Sequence, residues 1–548
     1  MASCPPPRNT FGRSRSQATW RVAFGAFSNE GRIVSNNETA RYALRDAPSL
    51  GGVSLPSRAS NAGASAAAVD QATLLILTTS LLTDRMLWYS DFFEALGDRI
   101  VATTWAWAGE LQRTGSWRAT AGPVEDFPVV GHFPMFPHTY LRRLNEFAWD
   151  YRLRPPSRLS HRRHVSDSQM KPWLRTTMVP ARLLAMLGLE QQVERFVGRM
   201  LQRYLRSPEA LARLTSLRPS MVLATGPMRF DEPAVVAIAK NLKIPTLALI
   251  TSWDNLSTKR RSLFEYDGYV VWSEQMRHEL HHFYPSSRSV PIYVVGAPQF
   301  DVFFKDEFRQ SREEFCARAG LRPEAPIVLY TLGSPNAIQE HHGALDMATR
   351  IARGELGDVQ LLVRPHPAFD NAHEVELLRE FRPRVVVQRT GDPDAPFRSQ
   401  AREQIIEWVN TFRHAAVVVN FASTVTVDAA ILDRPVVNLD YDPEPHQPNQ
   451  GLVNDANHVW THFKPIAESG GVWNVRNAAE MVTAIRTYLA QPELHRAGRR
   501  WIANYVCGQL DGNSGRRLGQ AIVQFAEHCG VHLPEPGAVT TSRRDRSA

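Results

Sequence analysis

Short unbroken runs of apolar residues recur along the chain and alternate with longer stretches in which apolar residues return at helical spacing. Such alternation predicts parallel sheets flanked by helices. In the first half the predicted strands are Leu74 to Thr78, Ile100 to Thr104, Met221 to Ala224, Thr246 to Ile250, Gly268 to Trp272 and Ile292 to Val295. Pro180 to Leu214 carries Leu and Met at helical spacing, which predicts a helical hairpin or insertion packed on the sheet. A charged helix, Arg309 to Ala319, and the breaker Gly-Leu-Arg-Pro precede a second series: Ile327 to Leu332, Val359 to Val363, Arg384 to Val387, Ala415 to Asn420 and Pro435 to Leu439. Helices Ala478 to Ala490, Glu493 to Tyr505 and Gly515 to His528 close the pattern.

A chain of 548 residues is too long for one ordinary core. The expected architecture is α/β, two doubly wound Rossmann-like domains facing across a cleft. The first spans 71–303 with its helical insertion and the second 304–530. Residues 1–70, rich in Ser, Ala, Gly, Pro and Arg, are expected to be a disordered extension, and 531–548 a disordered tail. Ligands of such sheets bind outside the carboxyl ends of the strands.

Composition excludes several classes. The residue usage is that of an average soluble enzyme, and the longest apolar run, Ala72 to Leu82, falls short of a bilayer span of about 20 residues. Four scattered cysteines argue against a disulfide framework or structural zinc site and for a cytoplasmic setting. A net charge of +8 suits anionic partners, including a membrane face. No Walker, GxSxG or GxGxxG signature and no nucleic-acid module is present, so kinase, hydrolase, dehydrogenase and nucleic-acid readings recede.

The second series holds the candidate donor site. The strand Ala415 to Asn420 leads into Phe-Ala-Ser-Thr, so Ser423 or Thr424 caps a helix whose first N–H groups form an anion site, with Asp428 one turn on and within reach of a ribose. Arg364 and His366 end another strand, where a cation and an imidazole can neutralise a leaving diphosphate; Pro365 and Pro367 stiffen their loop. Gly333 and Ser334 end the first strand of the series and permit close approach of phosphate. In the first series, Ile250 to Lys259 crowds an aromatic, a carboxylate, an amide, hydroxyls and a cation after one strand. Asp254 fits the base for an acceptor hydroxyl, Trp253 a stacking face for a sugar, and Asn255 and Lys259 further acceptor contacts. The pairs His281-His282 and His341-His342 read as surface residues with divergent side chains, and His458 with His462 as one helix face with too few ligands for zinc, so no metal is expected.

From about Met221 to Ala526 the ordered motifs SWDNLSTK, GYVVWSE, VVGAPQFD, LVRPHP and NFASTVTVDAAILDRPVVNLDYD resemble the GT-B type transferases, in the branch related to CDP-glycerol glycerophosphotransferases and bacterial surface-polysaccharide enzymes. Asp254 stands where that branch carries the histidine of Trp-His-Gly; in the subset with Trp-Asp-Asn a glycine usually follows the lysine, where this chain has Arg260. Asp301 resembles a structural residue before the interdomain link. The resemblance implies metal-independent inverting transfer of a glycosyl or polyol-phosphate group, without a cofactor. The donor is a nucleotide sugar or CDP-polyol, and the acceptor a glycan, polyol phosphate or lipid-linked hydroxyl; the basic charge leaves open peripheral contact at the inner membrane face. Its roles here are Asp254 as base, Arg364 and His366 on the leaving group, Ser423 and Thr424 as the diphosphate cradle and Asp428 on ribose; the residue reading adds Gly333 and Ser334 on the donor and Trp253, Asn255 and Lys259 on the acceptor. The alternatives are a silent nucleotide-sugar-binding relative and a UDP-sugar epimerase of the same fold.

Overall fold

A parallel strand covered by helices on both faces needs apolar side chains at successive positions, which explains unbroken runs such as Leu75, Ile76 and Leu77, all fully buried. The computed structural model describes residues 71–535 except 80, 107–121, 131–134, 167–169, 230, 335–337, 339, 367–371 and 389–400. The expected disorder of 1–70, most of the expected tail, and Pro367 lie outside the described residues. Within the first sheet are β1 (Ala72–Thr78), β2 (Ile100–Ala106), β3 (Val124–Asp126), β4 (Met221–Ala224), β5 (Thr246–Leu249), β6 (Gly268–Val271) and β7 (Ile292–Val294). The second contains β8 (Ile327–Thr331), β9 (Gln360–Arg364), β10 (Val385–Val387), β11 (Val417–Asn420), β12 (Val436–Leu439) and β13 (Trp473–Val475). Their orders are β3-β2-β1-β4-β5-β6-β7 and β10-β9-β8-β11-β12-β13, and every pairing is parallel. Each sheet reverses its winding at its first strand, between β1 and β4 and between β8 and β11. These are two doubly wound GT-B type lobes, and in such sheets ligands bind at the switch.

The edge strands β3 (Val-Glu-Asp) and β13 (Trp-Asn-Val) escape the hydrophobic pattern because polar residues interrupt them, whereas the equally short edge strands β7 and β10 are unbroken apolar runs. The insertion between β3 and β4 includes the helices Tyr140–Leu153, Pro156–His161, Met178–Met186, Glu190–Tyr204 and Pro208–Leu217. The helix expected from Arg309 begins instead at Arg312. Ser311 caps it through the Glu314 N–H at 3.1 Å, while the Glu314 carboxylate accepts the Ser311 N–H at 2.8 Å.

Both sheets belong to one compact unit, and the apolar core of the first lobe continues through Phe300, Phe303 and Trp408 into the inner face of the second. The last helix, Ser514–His528, returns to the first lobe. Asp301 caps it, accepting the N–H groups of Ser514 at 3.1 Å and Gly515 at 2.7 Å, as its expected structural role requires. The helix then lies against Phe92–Leu96, so close that a Cβ on Gly515 would sit 2.1 Å from Ser90 Oγ, and one on Gly519 2.6 Å from the Ala95 Cβ.

Candidate active site between the lobes

The β5 strand delivers the loop 250–259 to the carboxyl rim of the first sheet, where Asp254 opens the short helix Asn255–Thr258. Its carboxylate accepts the Ser252 hydroxyl and, at 3.0 Å, that of Thr258. Burial works to raise the Asp254 pKa, but Lys259, His462 and the two hydroxyls outweigh it and hold the group below the usual carboxylate range. Asn255 donates to Thr251 Oγ1 at 3.3 Å, and Lys259 is exposed.

Trp253 departs from expectation. Only 6% exposed, it offers no open face to a sugar and instead meets the imidazole of His462 edge-on. His462 comes from the second lobe and stacks on Trp460, while Ser157 of the insertion lies 3.4 Å from its Nδ1. Burial depresses its pKa to about 4, against the pull of Asp254, so the ring is neutral at physiological pH. The sequence concealed this partner because the helix Gln450–His458 ends before His462. His458 and His462 therefore share no helix face, and His458 pairs instead with Asp440, 3.1 Å from both carboxylate oxygens.

Between the insertion, the helix Glu274–Phe283 and Thr461 of the second lobe lies a cavity of about 270 Å³, lined by Pro155, Pro156, Gln275, His278, Glu279 and Thr461 among others. Burial, with Asp254 adding to it, pushes the Glu279 carboxyl up to about 7. One of its oxygens and the Thr461 hydroxyl are buried without hydrogen-bond partners, polar atoms that the motifs did not reveal.

On the second sheet the candidate donor residues stand at the carboxyl ends of three adjacent strands. Arg364 ends β9, and its guanidinium donates to Gln388 Oε1 at 2.5 Å. Burial lowers its pKa while Glu407 and Asp428 act to sustain its charge. His366 follows two residues on, half-buried. After β11, Ala422 takes a left-handed φ of 27°, a strained turn that ends the strand abruptly. The helix then starts at Val425, with Thr424 in the cap position. Ser423 Oγ accepts the Val425 N–H at 3.3 Å, and Thr424 is exposed without a side-chain cap bond.

Two donor expectations need correction. Asp428 is 7% exposed and accepts the Trp408 indole N–H at 2.8 Å rather than standing open to a ribose. Burial raises its carboxyl to about 7, against Arg85, Trp408 and Arg364. Arg85 reaches from the first lobe, its guanidinium 4.2 Å from the Trp408 ring. Gly333 does not present a free N–H to phosphate, because Glu340 accepts it at 2.6 Å. Ser334, beside it, is half-buried. Glu340 is itself buried and pushed up to about 8, its burial reinforced by Asp442 and Glu444. The first lobe repeats the device: the Gly226 N–H after β4 donates to Glu232 at 2.8 Å, and burial carries Glu232 to about 7. Both turns are thus filled by a carboxyl that can hold a proton.

Comparison with known proteins decides the family. The model for CDP-glycerol:poly(glycerophosphate) glycerophosphotransferase matches residues 250–524, half of the chain. The chain belongs to that family. Among solved structures, this glycerophosphotransferase-family chain is similar to Staphylococcus aureus MnaA with UDP, at 10% identity and a TM-score of 0.48, over 84% of this chain and 98% of that one. It is also similar to the UDP-GlcNAc 2-epimerase of Neisseria meningitidis with UDP-GlcNAc, at 12% and 0.42, over 83% and 100%. The wall teichoic acid polymerase TagF, soaked with CDPG, aligns at 11% and 0.38 over 57% and 73%. No curated protein matches. Membership makes the chain a GT-B type transferase, and no described helix is long and apolar enough to cross a membrane.

Proposed function

We propose that the protein moves a glycosyl or polyol-phosphate group from a nucleotide-activated donor to a hydroxyl acceptor by inverting displacement, in surface-polymer synthesis at the cytoplasmic face of a membrane. The observation that carries this reading is the meeting of Trp253 and Asp254, at the rim of one sheet, with His462 of the other lobe. Asp254 is the base toward the acceptor hydroxyl, with Asn255 and Lys259 beside it. The cavity whose lining includes Glu279 and Thr461 receives the acceptor. Arg364 and His366 stabilise the leaving group, while Ser334, Ser423 and Thr424 border the donor phosphates. Asp428 acts through Arg364 as a positioning residue.

Peripheral membrane contact has a candidate surface in the insertion. Val179, Leu183, Met186 and Leu187 are exposed, with Arg182 and Arg199 exposed on the same pair of helices, a composition suited to an anionic bilayer face.

Purified protein incubated with CDP-, UDP-, GDP- and dTDP-linked donors plus hydroxyl acceptors tests the reaction. Donor consumption with a new acceptor adduct supports transfer. Conversion to another free nucleotide sugar assigns an epimerase, and thermal stabilisation without turnover assigns a binding protein.

A further inference from the structure

We infer that His341, His342 and Glu444 form a binding site for a divalent transition-metal ion, which ties the start of the helix His341–Ala352 to the loop after β12. Adjacent helical residues project about 100° apart. Here, nevertheless, the two imidazoles lie with centroids 4.4 Å apart, and one ligand atom from each ring and from Glu444 can be chosen with all three within 4.8 Å of one another. The Nδ1 of His341 is 3.9 Å from Glu444 Oε1, and that of His342 lies against Oε2. This His342 nitrogen is buried yet lacks hydrogen-bond geometry to any partner, although a carboxylate is beside it. Two donor atoms close together but not aimed at each other suit a common third atom.

Ordinary histidine–carboxylate pairs in this protein look different. His458 bonds Asp440 and His164 bonds Asp455 at 3.0 Å, one ring to one carboxylate each. At the trio the carboxylate is also fixed from behind. Glu444 Oε1 accepts the His342 N–H at 3.3 Å, and Asp442 accepts the N–H groups of Glu444 at 3.0 Å and Asn449 at 2.6 Å. The ring of His373 stands perpendicular to His341 at 5.2 Å, a further imidazole beside the trio.

Two imidazoles and one carboxylate favour zinc, cobalt, nickel or manganese over magnesium or calcium, which prefer oxygen ligands alone. Three protein ligands leave a position for water or a substrate oxygen. The ligands follow the carboxyl ends of β8 and β12, on the rim that carries Ser334 and Ser423. The site is independent of whether the chain performs transfer.

The test is titration of chelator-treated, full-length protein with cobalt(II), read by its visible absorption, alongside zinc calorimetry. Saturable binding of one equivalent is expected, with affinity at least about 100-fold weaker in His342→Ala and in Glu444→Gln, and unchanged in His458→Ala. X-ray absorption of zinc-loaded wild-type protein should count two or three imidazoles, which keeps the site testable if a variant fails to fold. Absence of saturable binding, no imidazole in the zinc shell, or undiminished affinity in a folded His341→Ala/His342→Ala variant would each overturn the site.

Discussion

The indole of Trp253 and the imidazole of His462 meet at an interplanar angle of 70° with centroids 5.2 Å apart, although they belong to opposite lobes. The loop 250–259 is therefore completed by a residue of the other lobe. His462→Ala should lower kcat and leave donor affinity, measured by calorimetry, within about twofold of wild type. His462→Phe keeps an aromatic ring against Trp253 but removes the nitrogens, so recovery of activity in that variant would reduce the role of His462 to packing.

Asp254→Asn should cut turnover by about 10² to 10⁴ while sparing donor binding, the range expected for loss of a general base. Because His462 packs against Trp253, the neighbour of Asp254, combining Asp254→Asn with His462→Ala should cost little beyond the worse single change. Multiplicative losses in steady-state rates would show that the two act separately.

Asp428 makes a prediction about pH. Its folded-state pKa, raised by burial to about 7, lies above the ordinary carboxyl value of 3.8. Between those values the folded protein retains a proton that the unfolded chain releases, so this group's contribution to stability falls as pH rises through the window. Asp428→Asn removes the titration. The difference in Tm between variant and wild type should shift in favour of the variant from pH 4 to pH 7, and a constant difference would contradict the assignment.

The exposed apolar surface of the insertion predicts vesicle binding. Wild-type protein should sediment with anionic vesicles and much less with neutral ones, and Met186→Asp/Leu187→Asp should abolish the difference without changing activity on a soluble acceptor. Equal sedimentation of variant and wild type would place membrane contact elsewhere.

Asp301→Ala should destabilise the protein by roughly 1 to 3 kcal/mol in denaturant unfolding, because two helix N–H groups lose their acceptor. Gly519→Ala should cost about 1 to 3 kcal/mol by overpacking against Ala95 and Phe92.

Much of the fold is legible because buried parallel strands are written as unbroken apolar runs. Met221–Ala224 carries its boundaries in the sequence, whereas β3 and β13 lie at the sheet margins and carry too little apolar side chain to register. For the candidate site, strand-end loops such as 250–259 were visible as clusters of chemistry. What covers them was not. His462, Glu340 and Trp408 reach Trp253, Gly333 and Asp428 through turns and neighbouring elements that no local spacing encodes. The rings of His341 and His342 converge because Glu444 arrives from another loop, so helical geometry alone could not bring them together.

The closing helix Ser514–His528 has a consequence for biosynthesis. Its apolar side is completed by segments made near the beginning of the chain, so the amino-terminal half leaves the ribosome with a bare flank that waits through the synthesis of the entire second lobe. Expression of that half alone should yield aggregates, and supplying residues 496–535 as a separate segment should rescue its solubility.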